Sequence, residues 1–195
     1  MKTTGLTIGK RLGLGFGVVT LLFGGATVVT LGEVNTMRSQ ASFIDDQVGP
    51  QLQTATEAER LSRTNTQLVL QQLNLTDPAK IAKITEQVQA NNRATLEYIS
   101  SLDKQTMEKA PAAIFAQLKQ ANSRKGDVLT QILALKAQGK HDEADAYAET
   151  TFLPTGEAAD TLFSKLTVAF GDILDEHTGA IKDSASRTIV VLLSA

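Results

Sequence analysis

Residues 9–31 read GKRLGLGFGVVTLLFGGATVVTL, and two incompatible structures compete for them. A phosphate-cradling loop needs glycines at fixed offsets, so that backbone N–H groups and a helix N-terminus converge on the anion. Gly13, Gly15 and Gly17 instead recur every second residue, and Val18 stands where a third fingerprint glycine belongs. Gly5 to Lys10 is one spacer residue short of a Walker loop, with Arg11 in place of the magnesium-binding Ser or Thr. Leu12 to Leu31, by contrast, is 20 residues without a charge, about the length at which a helix crosses the hydrocarbon core of a bilayer. The expected element is a transmembrane helix over residues 12–32. It exceeds the roughly 7 to 15 residues of a cleaved signal core, and no A-x-A site follows it. Gly9, Gly13 and Gly17 stand four apart, either as a small-residue packing face or as glycine simply tolerated in lipid.

The charges around this stretch orient it. Lys2, Lys10 and Arg11 precede it and Glu33 follows, so residues 1–11 are expected in the cytoplasm and residues 33–187 outside. At the other end Thr188 to Ala195, TIVVLLSA, is uncharged and mostly apolar but too short to span. Residues 188–195 are read as the start of a second, truncated membrane helix. Composition fits one modest extracytoplasmic domain between the two. Net charge is -2 with scattered basic residues, which offers nucleic acid no electrostatic footprint. Cysteine is absent, which excludes disulfides, thiolate metal sites and cysteine nucleophiles. Trp is absent too, and the low aromatic content suits a helical bundle better than a compact enzyme core.

Between the ends, apolar residues keep a helical period throughout. Val34, Met37, Ala41, Ile44, Val48, Leu52 and Ala55 step by threes and fours, and Leu61, Leu68 and Leu75 extend this first helix. Gly49-Pro50 should kink it. Thr76-Asp77-Pro78 ends the pattern, with Asp77 or Thr76 suited to cap a new helix and Pro78 to its first turn. Ile81, Ile84, Val88, Ile99 and Leu102 mark the second helix. Pro111 opens the third, striped by Ile114, Leu118, Ala121, Val128, Ile132 and Leu135, and Gln138-Gly139-Lys140 stops it. The fourth starts at His141-Asp142-Glu143 and carries Ala144, Ala148, Thr151, Thr155, Leu162, Leu166, Ala169 and Ile173. Helices one and four are each more than about 40 residues, roughly 65 Å, and the middle pair about 30, roughly 45 Å. Short turns make sequential helices antiparallel, so the expected fold is an all-α, membrane-anchored, up-down-up-down four-helix bundle.

Counting from the distal turns identifies a candidate site. Arg63 lies 13 residues before Thr76, Asn91 13 after Pro78, Lys125 14 before Gly139 and Thr155 14 after His141. All four fall about 20 Å below the tip at the rise of an α-helix. Arg63, Asn65, Asn91, Asn92, Arg124, Lys125 and Thr155 would then form one polar layer where the apolar stripes lapse. Cations with amide and hydroxyl donors suit a carboxylate ligand, and such a layer serves equally as a device that sets helix register. His141, Asp142, Glu143 and Asp145 have metal-type donors, but acidic residues at a helix start ordinarily complement its dipole. His177 lies 36 residues further along the same helix and cannot join them. No metal, cofactor or catalytic group is expected.

The plan of membrane span, long, short, short and long helix, then a second span resembles the N-terminal sensor half of methyl-accepting chemotaxis receptors. IGKRLGLGF at the entry of the first span, VGPQL in helix one and KAQGKHDEADAY at the third turn have the look of that family. The resemblance implies a homodimer in the bacterial inner membrane with a periplasmic ligand domain. It also implies coupling proteins and a kinase engaged only through a cytoplasmic part missing from this sequence. In aspartate-sensing members, arginines on the first helix and a threonine after a proline on the fourth grip the ligand. Leu61-Ser62-Arg63 resembles one arginine stretch and Pro154-Thr155 the threonine pair, while the other two arginine positions hold Ala58 and Gln67. Arg60, one turn from Arg63, could replace a missing partner. The expected ligand residues are Arg63, Thr155, Arg60, Asn91 and Lys125, for an amino acid or organic acid. The same bundle would also serve as the input of a sensor kinase or diguanylate cyclase, or as a structural spacer.

Overall fold

The computed structural model describes residues 8–75 and 77–194. Lys2, Gly5, Thr76 as an alternative cap, and Ala195 lie outside the described residues. The chain runs through α1 (Ile8–Phe43), a π-helical turn (Ile44–Val48), α2 (Gly49–Leu73), α3 (Pro78–Asp103), α4 (Lys109–Ala137), α5 (His141–Tyr147), a second π-helical turn (Ala148–Phe152) and α6 (Leu153–Ser194). No strand occurs among the described residues. Two compact units result: Val48–Ile173, and the residues up to Gln47 together with those from Leu174 onward.

The unit Val48–Ile173 is a four-helix bundle made by α2, α3, α4 and α5 with the first part of α6. Local chemistry sets its turns. Asp77 accepts a hydrogen bond from the Ala79 N–H at 2.9 Å, and Pro78 follows as the first helical residue, where no N–H is needed. α4 begins at Lys109, two residues ahead of the expected Pro111, because proline is tolerated anywhere in a first turn whose N–H groups are unpaired. At the far end Gly139 has φ +75°, and Lys140 N–H and Gly139 N–H donate to Leu135 O and Lys136 O at 3.0 and 3.1 Å. That pairing is a Schellman stop, and its left-handed residue is glycine for lack of a Cβ.

Each of the two prolines inside long helices follows a π-helical turn that ends two residues earlier, Val48 before Pro50 and Phe152 before Pro154. A proline withholds its N–H from the carbonyl four residues back and crowds it. A wider turn relieves both, and in the second one Leu153 N–H reaches Ala148 O, five residues back. At Gly49-Pro50, where a kink is expected, the chain has such a widened turn with helix on both sides.

The core seam differs in detail from the apolar stripes. On α4 the buried residues are Pro111, Phe115, Leu118, Asn122, Lys125, Leu129, Ile132 and Lys136, alternating steps of four and three in the manner of a heptad seam. Ile114, Val128 and Leu135, expected inside, only flank it, half-buried. On α2 the seam takes in Gln51, Ala55, Ala58, Ser62, Asn65, Val69 and Gln72. Polar side chains therefore hold several seam positions, which a search for apolar residues passes over. Val69, Ile84, Val88, Leu129, Ile132, Ala148 and Phe152 form one core cluster joining α2, α3, α4 and the second π turn. Phe163 and Phe170 of α6 are fully buried, each contributing about 2–3 kcal/mol of transfer free energy.

In the other unit, α1 belongs to a helix long and apolar enough to cross a membrane. Phe16, Leu21, Leu22, Phe23, Val28 and Leu31 are all exposed. Among the described residues nothing lies within 4 Å of a Cβ built on Gly13 or Gly17, so no close packing between those residues uses them. Arg187 grips Glu33 through two hydrogen bonds, at 2.9 and 3.2 Å, and also donates to Ser184. The Arg187 hydrogen bond, with help from Ser184, holds the Glu33 carboxyl below its ordinary range. Close by in sequence, the His177 ring packs on Phe43 at 4.5 Å between centroids and pairs with Gln40.

Candidate functional site

Lys125 holds a seam position of α4 with a side chain only 6% exposed. A buried ammonium is costly unless its protons find acceptors. Lys125 Nζ donates to Ser62 O at 3.0 Å, Ser62 Oγ at 2.8 Å, Thr66 Oγ1 at 2.9 Å and Asp160 Oδ1 at 2.9 Å. Asp160 in turn accepts Ser62 Oγ at 2.7 Å and Thr66 Oγ1 at 3.3 Å. Three helices, α2, α4 and α6, thus meet in one ion-paired junction. Gly156, one turn before Asp160, borders it: an added Cβ would lie 3.8 Å from Lys125 Cε and 3.6 Å from Thr66 Oγ1, ordinary contact distances. Burial pushes the Lys125 amine below its ordinary range, and the charge and hydrogen bond of Asp160 oppose that shift.

Asp160 sits 19 residues after His141 whereas Lys125 sits 14 before Gly139, so by residue counting they differ in height by about 7 Å. Helical side chains lean toward their own N-terminus. α4 runs toward the distal turn and α6 away from it, so Lys125 leans away from the tip and Asp160 toward it, and the gap closes. Counting Cα heights ignores this lean, and Asp160 was missed for that reason. Ser62 and Thr66 were missed because they break the apolar stripe, although the three-four register from Ala55 and Ala58 leads to Ser62.

Beside the junction a groove of about 620 Å³ opens between α2 and α6, within the size range of small-molecule sites. Arg63 and Thr66 line it from α2; Glu157, Asp160, Thr161, Ser164 and Lys165 line it from α6. Asp160 and Thr66 belong to both the groove and the junction. Arg63 is held by Glu59 at 2.8 Å, and Glu59 accepts Thr167 Oγ1 at 2.9 Å, so the guanidinium is oriented from both helices.

The expected polar layer is therefore divided. Arg63 reaches the groove and Lys125 reaches the junction beside it. Thr155 is not among the groove residues: its hydroxyl donates to Thr151 O at 2.6 Å, the usual back-bond of a helical threonine. Arg60 is exposed and paired with Glu57 at 2.9 Å. Asn91 is half-buried on α3, and its backbone carbonyl accepts the Thr95 hydroxyl. Asn65 is buried and donates to Val88 O at 3.2 Å, whereas Arg124 is exposed. Ala58 is fully buried in the core.

An all-α bundle with a charged, ligand-sized groove between its first and last helices falls in the class of helical sensory modules. The chain belongs to the family of four-helix-bundle sensory modules for signal transduction, whose profile matches residues 5–169. No curated protein matches it. The protein is accordingly a sensor domain.

Proposed function

We propose that this sensor domain belongs to a chemotaxis receptor, binds a small carboxylate in the α2/α6 groove, and signals across the bacterial inner membrane. The observation that carries this reading is the groove itself, where Arg63 and Lys165 face a volume suited to a small molecule. An arginine oriented from behind by Glu59 offers its remaining N–H donors to a carboxylate, the geometry in which guanidinium recognition is strongest. α6 carries Asp160 and Lys165 near its start and the exposed apolar Ile189, Val190, Leu192 and Leu193 near its end. A ligand that draws on α6 residues thereby acts on a helix whose far end suits a membrane. The charge step from Lys10 and Arg11 to Glu33 favours a cytoplasmic N-terminus and a periplasmic bundle. The working unit is a homodimer, the usual closed assembly for a membrane-tethered bundle.

The test is thermal-shift screening of amino and organic acids on the full chain in detergent micelles, followed by calorimetry of the best hit. Arg63→Ala is expected to weaken binding by about 10- to 100-fold, the loss of one charge-assisted contact, with the helical circular dichroism unchanged. Equal binding by parent and variant would place the site elsewhere.

A further inference from the structure

The groove is not simply basic. Beside Arg63 and Lys165 it presents two carboxylates one helical turn apart on α6, Glu157 and Asp160. Asp160 is the better fixed of the two: Lys125, Ser62 and Thr66 hold it from behind, while its side chain keeps 18% exposure. A carboxylate offers about four lone-pair sites. Three donors converge on Asp160 from within the bundle, and its exposed edge belongs to the groove. The buried Lys125 ammonium holds Asp160 in place from behind and leaves that edge open. A ligand carrying only negative charge would meet Glu157 and Asp160 as like charges close by. One carrying an ammonium beside its carboxylate would find an opposite charge for each end.

We infer, resting on the α2/α6 groove as the ligand site, that Asp160 is its specificity-determining residue. Positioned by Lys125, Asp160 receives a ligand ammonium, so the ligand class is amino acids and not simple organic acids. Lys125 is a positioning residue: it touches Asp160, and the ligand does not touch it. Glu157 adds to the same negative end of the groove, and Arg63 with Lys165 makes the positive end.

Matched pairs of probes that differ by the ammonium alone test this: L-aspartate with succinate, L-glutamate with glutarate, L-alanine with propionate, and the remaining standard amino acids with their des-amino counterparts. Each is titrated into the full chain in detergent micelles. At least one amino acid is expected to bind, with its des-amino partner weaker by about 30-fold or more, a contrast typical of charge-assisted recognition. Asp160→Asn should shrink that ratio toward one. Asparagine there leaves Lys125 without its counter-charge and can loosen the bundle, so Glu157→Gln, which leaves the Lys125–Asp160 pair intact, supplies a second reading and should shrink the ratio by a smaller factor. A hit among the organic acids that binds as tightly as its amino acid overturns the role of Asp160 and leaves the groove as a carboxylate site. Absence of any hit in either set overturns both.

Discussion

At the scale of single residues, the energetics turn on the ion pair Lys125–Asp160. Breaking a buried pair from one side strands the other charge, at about 3–5 kcal/mol. Asp160→Leu leaves the Lys125 ammonium enclosed and should lower stability by about 3 kcal/mol or more. Lys125→Met leaves the part-exposed Asp160 some access to water, so its cost should be nearer about 2 kcal/mol. The double variant Lys125→Met/Asp160→Leu should recover to within about 1 kcal/mol of the parent. Thermal melts of the full chain check this, and additive losses would contradict it. Lys125 also predicts a pH signature. Burial holds its folded pKa below the ordinary lysine value, so between the two values the unfolded chain binds more protons and the contribution of this group to stability rises with pH. The stability difference between the parent and Lys125→Met should grow in the parent's favour as pH increases from neutrality toward 10.5. Half of this chemistry was legible in the sequence. The sequence places Lys125 in a polar layer as a cation for a ligand, but naming Asp160 as its partner requires the lean of side chains on antiparallel helices, and Thr155 shows how a residue at the right height can point along its own helix instead.

Among elements, the turns were more legible than the packing. Asp77-Pro78 and Gly139 are local signals, each acting on a backbone group within a few residues, and the structure uses both as the sequence suggests. The seam is a non-local choice: Asn122, Lys125 and Lys136 enter it because facing helices supply partners, which no stripe of apolar residues records. Two glycines make the element scale testable with one substitution. Among the described residues nothing lies within 4 Å of a Cβ on either Gly126 or Gly139, so steric contact with them plays no part. Gly126 is ordinary helix in α4, and Gly126→Ala should stabilise by about 0.5–1 kcal/mol through lost freedom of the unfolded chain. Gly139 has φ +75°, and Gly139→Ala should destabilise by about 1–2 kcal/mol. Like signs for the two would show that the α4 stop is not the Schellman turn described.

For the whole molecule, the apolar stretch from Leu12 to Leu31 and its flanking charges were legible because hydrophobic length and charge asymmetry are counting problems. The groove was not, since it joins Arg63 to residues about a hundred positions away in the chain. A periplasmic reporter inserted after Gly139 should be active in bacterial cells and a cytoplasmic reporter there silent, and the reverse would overturn the orientation. The central claim is that occupancy of the α2/α6 groove is what the protein reports. The measurement that reaches it most directly joins the chain to the cytoplasmic kinase-controlling half of a chemotaxis receptor and records the kinase response in cells to the groove ligand found by calorimetry. The expected result is a graded response whose midpoint follows the binding constant and moves with Arg63→Ala by the same factor as binding does. A response that ignores Arg63→Ala, or a ligand that fills the groove and leaves the kinase unchanged, would contradict it.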